Sequence, residues 1–238
     1  TEDSGIWRYD FGKAPGQRWT QFDRSKGLVE NSVLCVAYDR RGRIWAGHRN
    51  QGVSVWNGEH WQNYAPPFGP LGERVFDLEV SPQNGDVWMA TNYGLTRYSV
   101  QKDEWANFTH ANGLPLEAIQ CLTFDQSGNV IAAMQRGGLA IGKTTGNFQK
   151  WETVSDKRVL ASAGGATSGL FPTDLLTTRD GTIWMATSSG LARSNDRGYN
   201  WLWVRGHDFP TKQKDIAEYE DKGGFATGNR FRKLQGTK

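Results

Sequence analysis

The sequence predicts an all-β fold built from repeats of about forty residues. The segment Gly-Thr-Ile-Trp-Met-Ala-Thr-Ser-Ser-Gly-Leu at residues 181–191 recurs as Gly-Asp-Val-Trp-Met-Ala-Thr-Asn-Tyr-Gly-Leu at 85–95. A looser copy occupies residues 42–53, and a copy with Ile131 in place of Trp occupies 128–139. Apolar and polar residues alternate along residues 94–98, which is the period of a strand with one buried face.

Each repeat contains four predicted strands. An apolar-rich strand comes first, and a glycine-containing turn leads to the strand that carries Ile-Trp or its equivalent. Glycine supplies the positive φ that such a tight turn needs. The third and fourth strands have clear first residues in every repeat. The third begins at Gly5, Gly52, Gly94, Gly138 and Gly190, and the fourth begins at Trp19, Trp61, Trp105, Trp151 and Trp201.

The two ends of the chain contain complementary halves of a repeat. The N-terminus holds only the two outer strands, and residues 219–228 align without a gap on residues 38–47, which belong to the two inner strands. Pairing the ends of the chain removes exposed sheet edges. We therefore predict a five-bladed β-propeller of four-stranded antiparallel blades, with the last blade closed by strands from both termini. The alternative is a fragment of a longer propeller, in which residues 232–238 begin a further strand.

We expect residues 1–238 to form one domain. Its blade repeats cover approximately residues 27–69, 70–113, 114–154 and 170–209, with 212–231 completing the blade begun by 1–26. The tryptophans that recur at one position of each repeat are interpreted as packing between blades.

The net charge, the hydrophobic pattern and the numbers of cysteines and histidines exclude several classes of protein. A net charge of +3 gives no electrostatic case for nucleic acid or an anionic membrane surface. No apolar run is long enough to span a bilayer. Cys35 and Cys121 are too few for a disulfide scaffold and are expected to be buried free thiols. The four histidines lack Cys-His spacing, so no metal or other cofactor is predicted.

The segments Ile-Trp-Ala-Gly…Gly-Val at 44–53 and Val-Trp-Met-Ala-Thr-Asn-Tyr-Gly-Leu-Thr-Arg-Tyr at 87–98 resemble the two-component-regulator-type propeller repeat. The resemblance covers nearly the whole chain. That repeat is known from periplasmic sensor halves of bacterial signalling proteins and from stand-alone secreted propellers. The resemblance therefore implies a bacterial protein with an extracytoplasmic location, either periplasmic or secreted.

Residues 194–201, Ser-Asn-Asp-Arg-Gly-Tyr-Asn-Trp, are similar to the Asp-box of sialidases and other propellers. In those proteins the box is a hairpin between the two outer strands, far from the active site. The similarity implies a folding role, in which the Asp caps backbone amides, the Gly forms the turn and the Trp packs.

The predicted binding site lies on the face that carries two sets of loops, those that lead into each first strand and those between the second and third strands. These loop tips differ from blade to blade, so the repeat does not need them and they are free for function. Amides, guanidinium groups and a tyrosine ring suit a carbohydrate or another polar ligand. The candidate ligand-binding residues are His48, Arg49, Asn50, Asn92, Tyr93, Gln135, Arg136, Asn229 and Arg230, with Gln51, Ser188 and Ser189 beside them. The connecting loop at 155–171 either folds over this face or has no role.

The leading functional hypothesis is a non-catalytic, lectin-like propeller that binds a carbohydrate or a protein. An enzyme acting on polysaccharides is the main alternative, with a uronate lyase ahead of a glycoside hydrolase. A lyase needs a base, such as His48 or Tyr93, and a cation, such as Arg49 or Arg136. A hydrolase would draw its paired carboxylates from the innermost strands, at Asp77, Glu79, Asp174, Asp215 and Glu218. A third hypothesis is a docking subunit of a larger assembly.

Overall fold

The computed structural model describes residues 3–115, 118–135, 138–154, 171–187 and 190–204. Contacts between residues divide the chain into two compact units, Thr1–Leu122 and Thr123–Lys238. The division falls within a strand of the third blade. The expectation of one domain over residues 1–238 stays a prediction.

The first unit contains a two-stranded sheet followed by two complete blades. In both blades consecutive strands pair antiparallel, in the orders β3-β4-β5-β6 and β7-β8-β9-β10. The strands are β1 (Ile6–Tyr9), β2 (Trp19–Phe22), β3 (Val33–Tyr38), β4 (Ile44–His48), β5 (Val53–Trp56), β6 (Trp61–Tyr64), β7 (Val75–Val80), β8 (Val87–Thr91), β9 (Gly94–Ser99) and β10 (Glu104–Phe108).

The third and fourth blades follow the same plan, with strand orders β11-β12-β13-β14 and β15-β16-β17-β18. Their strands are β11 (Ile119–Phe124), β12 (Val130–Met134), β13 (Leu139–Gly142), β14 (Trp151–Val154), β15 (Pro172–Thr177), β16 (Ile183–Thr187), β17 (Gly190–Ser194) and β18 (Leu202–Val204). Three short 3₁₀ helices occupy Arg24–Lys26, His110–Asn112 and Thr144–Gly146. No helix among the described residues is long and apolar enough to cross a membrane.

These sheets confirm an all-β propeller fold with four-stranded antiparallel blades. The described residues contain four such blades and the sheet β1–β2, whose register runs from Ile6 opposite Phe22 to Tyr9 opposite Trp19. The sequence predicted this pair as the outer half of the last blade. The predicted inner half, at 212–231, lies outside the described residues, so closure by the termini stays a prediction.

Aromatic residues fill the space between the first two blades. Trp45, which is fully buried, lies 5.0 Å from Tyr98 and 6.1 Å from Trp105 between ring centroids. It belongs to one cluster with Val53 and Met89, which come from different blades. This packing confirms the interpretation of Trp45 as a residue of the core between blades.

The two cysteines are free, as the sequence predicted. Cys121 is buried and Cys35 is half-buried. Burial raises the pKa of the Cys35 thiol, with a smaller contribution from the charge of Asp77. The thiol therefore stays protonated at neutral pH and is a poor nucleophile.

Candidate functional site

The loops after the second strands of the first two blades meet at one end of the first unit. Residues 49–52 connect β4 to β5, and residues 92–93 connect β8 to β9. The side chain of Arg74 links the two blades by donating from Nε to the carbonyl of Arg49 at 3.0 Å. We call the side chains of Arg49, Asn50, Arg74, Asn92 and Tyr93 the loop surface.

Arg49 is held against the segment that enters the first blade. Its backbone N–H donates to the Ser32 carbonyl at 3.1 Å, and its Nε donates to the Ser32 hydroxyl at 3.1 Å. Ser32 is buried, whereas the Arg49 side chain is half-buried. Two contacts to one anchored residue fix both the loop and the direction of the guanidinium group.

Asn50 is held by the carboxylate of Glu30. Its backbone N–H donates to Oε2 at 2.9 Å and its side-chain amide donates to Oε1 at 2.8 Å. Both carboxylate oxygens therefore accept hydrogen bonds from the same residue. Such paired contacts to an ionised acceptor are stronger than neutral hydrogen bonds and restrict the loop tip.

Arg74 and Asn92 are joined by reciprocal hydrogen bonds. The Arg74 N–H donates to Asn92 Oδ1 and the Asn92 N–H donates to the Arg74 carbonyl, each at 3.2 Å. The Arg74 guanidinium carbon also lies 5.9 Å from the centre of the Phe76 ring. The loop of the second blade is thereby fastened to the start of β7.

Tyr93 is the aromatic residue of the loop surface and is 54% exposed. Its backbone N–H donates to Thr91 Oγ1 at 3.2 Å, and the Thr91 hydroxyl donates to the Gly94 carbonyl at 2.9 Å. Within the described residues its phenol makes no hydrogen bond. The backbone is fixed while the ring and its hydroxyl remain accessible.

His48 lies beneath the loop surface, because its exposed fraction is 0%. Its Nε2 is 2.8 Å from the Ser54 hydroxyl, and that hydroxyl accepts the Val29 N–H at 3.2 Å. Nδ1 has no hydrogen-bond partner among the described residues. Burial lowers the pKa of His48 to about 4, against the opposing effects of the Glu30 charge and the Ser32 backbone. The ring is therefore neutral at pH 7.

The structure brings together five of the predicted site residues in the first unit. Arg49, Asn50, Asn92 and Tyr93 share the loop surface, with His48 below it. Gln135 follows β12 in the second unit and is exposed. Arg136, Ser188, Ser189, Asn229, Arg230 and the loop at 155–170 lie outside the described residues.

Two residues of this region were missed by the sequence analysis. Arg74 immediately precedes β7, and Glu30 lies three positions before β3. Both belong to segments that enter a blade at the end where the loop tips lie. Their position just before the first strand of a blade is the signal that identifies them. The first and second strands are antiparallel, so the first strand begins at the same end of the blade at which the second strand ends.

The described residues contain no group of three or more His, Cys, Asp or Glu side chains that could hold a metal ion. Asp77, a candidate carboxylate of the hydrolase hypothesis, accepts the N–H groups of Leu78 at 2.8 Å and Leu122 at 2.9 Å. Its oxygens therefore have structural partners. The loop surface presents guanidinium and amide groups and one tyrosine ring with its hydroxyl.

Comparison with known proteins supports the resemblance seen in the sequence. The family model described as "Two component regulator propeller" matches residues 27–50. A search of curated protein sequences finds no significant match. The matched residues run through the segment that enters the first blade and the strands β3 and β4.

Solved structures share the fold at low sequence identity. The extracellular domain of the hybrid two component system BT3049 from B. thetaiotaomicron is 21% identical with a TM-score of 0.66, over 82% of this chain and 28% of that one. The extracellular domain of the one component system BT4673 from the same organism is 15% identical with a TM-score of 0.60, over 87% and 33%.

A catalytically inactive virginiamycin B lyase from Staphylococcus aureus, solved with quinupristin, is 16% identical with a TM-score of 0.57, over 75% of this chain and 57% of that one. The chain thus spans less than two thirds of the length of each of these neighbours. They include extracellular domains of two component and one component systems and an enzyme, so the shared propeller fold does not by itself assign a function.

Proposed function

We propose that this chain is a ligand-binding propeller that holds a carbohydrate or another polar ligand on the loop surface without catalysing a reaction. The exposed Tyr93 ring beside the fixed polar side chains of Asn92 and Arg74 is the observation that carries the proposal. An aromatic ring offers a flat apolar face to a sugar, and amide and guanidinium groups bind its hydroxyl or carboxylate oxygens.

The rigidity of the loop surface supports this function. Arg49, Asn50 and Asn92 each have a backbone N–H bonded to a residue of the segment entering their own blade. A ligand therefore does not have to order these loops when it binds, which lowers the entropic cost of binding. We also propose an extracytoplasmic location, periplasmic or secreted, because BT3049 and BT4673 are matched through their extracellular domains.

A glycan array with the intact protein and single variants tests the proposal. We expect binding to one glycan class, with at least about tenfold weaker binding after Tyr93→Ala or Arg49→Ala. Arg136→Ala extends the test to the third predicted loop tip. Tyr38→Ala is the matched control, since Tyr38 is 69% exposed at the opposite end of the first blade.

Binding that both Tyr93→Ala and Arg49→Ala leave unchanged would overturn the proposed site. A blank array would overturn the carbohydrate proposal and favour a protein-docking role. If a uronate polymer binds, new absorbance from an unsaturated product would show a lyase instead. The enclosed and neutral His48 ring does not suit the base of such a lyase, which would then have to be Tyr93.

For the fold, we propose that residues 212–231 complete the sheet begun by β1 and β2, giving a fifth blade. The alignment of residues 219–228 with 38–47 supports this pairing. Among the described residues, β1 pairs only with β2. Deleting residues 1–22 should then abolish cooperative thermal unfolding, and deleting 205–238 should do the same. A sharp melting transition in either shortened protein would contradict the closed blade.

A further inference from the structure

We propose that Arg74 recognises a carboxylate on the ligand, so that the loop surface selects uronate-bearing glycans over neutral ones. This inference rests on the proposed carbohydrate-binding function and names the ligand class of the same site. It depends on three features of Arg74: its fixed position, the absence of an acidic partner in the described part of the chain, and the groups beside it.

The position of Arg74 is fixed before any ligand arrives. Its backbone is fastened to Asn92 at both N–H and carbonyl, and its Nε is used by the Arg49 carbonyl. Because Nε is occupied, the two terminal nitrogens are the donors left for a ligand. A guanidinium group whose orientation is set in advance loses less entropy when it forms a two-pronged contact with a carboxylate.

Among the described residues Arg74 has no carboxylate partner, unlike two other arginines of the first two blades. Arg43 pairs with Asp39 at 2.7 Å, and Arg97 lies 3.9 Å from Asp86. Among the described residues, Arg74 makes no ion pair, even though Glu73 precedes it in the chain. Its side chain is exposed, so its terminal nitrogens are accessible.

The neighbours of Arg74 suit a sugar that carries the carboxylate. The side-chain amide nitrogen of Asn92 and the phenol of Tyr93 make no hydrogen bond with any described residue. They are available to ring or hydroxyl oxygens next to the acidic group. The Tyr93 ring adds an apolar face, which a sugar uses and a bare anion does not.

The charges around Arg74 favour a single carboxylate over a dense polyanion. Glu30 and Glu73 lie on the segments that enter the two blades, and they balance the formal charges of Arg49 and Arg74. A nearly neutral surface does not attract a polyanion over long distances. Recognition then depends on a local contact with one acidic group, so neutralising that group should remove the preference.

The experiment compares digalacturonate and a glucuronate disaccharide with their methyl esters, which keep the sugar and remove the charge. Dissociation constants are measured by calorimetry for the intact protein, Arg74→Ala and Arg74→Lys. We expect the acid of at least one pair to bind about tenfold or more tightly than its ester. Arg74→Ala should abolish this preference. Arg74→Lys should keep only part of it, because a lysine lacks the paired N–H donors of a guanidinium group.

Arg41→Ala is the matched control, since Arg41 is an exposed arginine in the turn at the opposite end of the first blade. Melting curves show whether each variant is folded. An unchanged ratio of acid to ester binding in Arg74→Ala would overturn this inference, as would a protein that binds only neutral glycans through Tyr93. The proposed function survives both results. Absence of binding to every glycan, acidic or neutral, overturns the proposed function itself.

Discussion

The first and second blades have the same strand order but close their second-to-third loops differently. In the second blade, the Thr91 side chain donates to the Gly94 carbonyl at 2.9 Å across a loop of two residues. In the first blade, three residues rather than two separate the corresponding positions, His48 and Gly52, and the His48 backbone N–H donates to the Gly52 carbonyl at 2.9 Å. The Thr91 side chain therefore takes part in closing its loop, whereas the His48 side chain makes a different contact.

The contact that His48 makes is with a hydroxyl that both blades possess. Ser54 accepts the Val29 N–H at 3.2 Å, and its equivalent Thr96 accepts the Leu71 N–H at 2.9 Å. Thr96 also donates to Asn107 at 2.8 Å, whereas Ser54 shares its second hydrogen bond with His48. Both blades therefore keep a hydroxyl that accepts a hydrogen bond from a backbone N–H group. The second hydrogen-bond partner of that hydroxyl differs between the two blades. Only the first blade has a titratable group at this place.

The opposite ends of the two blades also differ, and the largest effect is expected there. The buried Asp39 carboxylate accepts four hydrogen bonds, from the N–H groups of Arg41 and Arg43, Arg43 Nε and Trp45 Nε1. Burial by itself raises the pKa of Asp39, but the bonds from Trp45 and Arg43 outweigh it and keep the pKa below its usual value. Asp39→Ala should lower the free energy of unfolding by about 4 kcal/mol, as measured in urea.

The equivalent residue of the second blade provides the control for Asp39. The Ser81 side chain accepts no hydrogen bond from the described residues, so Ser81→Ala should cost less than about 1 kcal/mol. If the two substitutions cost the same free energy of unfolding, the carboxylate does not anchor the first blade in the way that its contacts indicate.

The next effect concerns the pH dependence of the first blade. In the unfolded chain a histidine has a pKa near 6.5, and in the folded protein the pKa of His48 is about 4. Between these values the unfolded state binds more protons, so stability falls as the pH decreases from about 6.5 to about 4. The total loss from this group reaches about 3 kcal/mol. This loss of stability is absent at pH values above the pKa that the histidine has in the unfolded chain.

His48→Thr gives the first blade the residue found at the same place in the second. Urea unfolding at pH 7 and pH 4.5 should show a smaller loss of stability in the variant than in the intact protein. The carboxylates titrate alike in both proteins and cancel in the difference. Two parallel stability curves would mean that His48 is not the source of the pH dependence.

The smallest effect is expected at the loop tip. Glu30→Ala removes the acceptor of both Asn50 donors, and we expect a loss of about 1 kcal/mol or less because the pair is partly exposed. Hydrogen exchange at the Asn50 amide should become faster, while exchange at the Asn92 amide, bonded to the Arg74 carbonyl, should not change. Equal acceleration at both amides would mean that the two loops loosen together rather than blade by blade.

The repeat allowed some of the site residues to be placed correctly from the sequence, but not all of them. Arg49, Asn50, Asn92 and Tyr93 interrupt the repeat between the second and third strands, so their place at one end of a blade was predictable. His48 is at the last position of a strand, where the pleat directs the side chain toward a neighbour or toward solvent. The sequence could not show whether the His48 side chain is buried or exposed, because its orientation depends on contacts with Ser54 and with the segment around Val29.

The sequence was sufficient to predict the repeat, the four-stranded blades, the tryptophan packing at Trp45 and the two free thiols. These depend on periodicity and on burial of apolar side chains, which are local properties of each unit. Only the tertiary structure decided that His48 is buried, that Asn50 is held by Glu30, and that Arg74 bridges two loops. Such contacts join segments 18 to 25 residues apart. The first two kinds of contact form when the segment entering a blade packs against that blade's own loop, and the bond between Arg74 and Arg49 forms when the first two blades pack together.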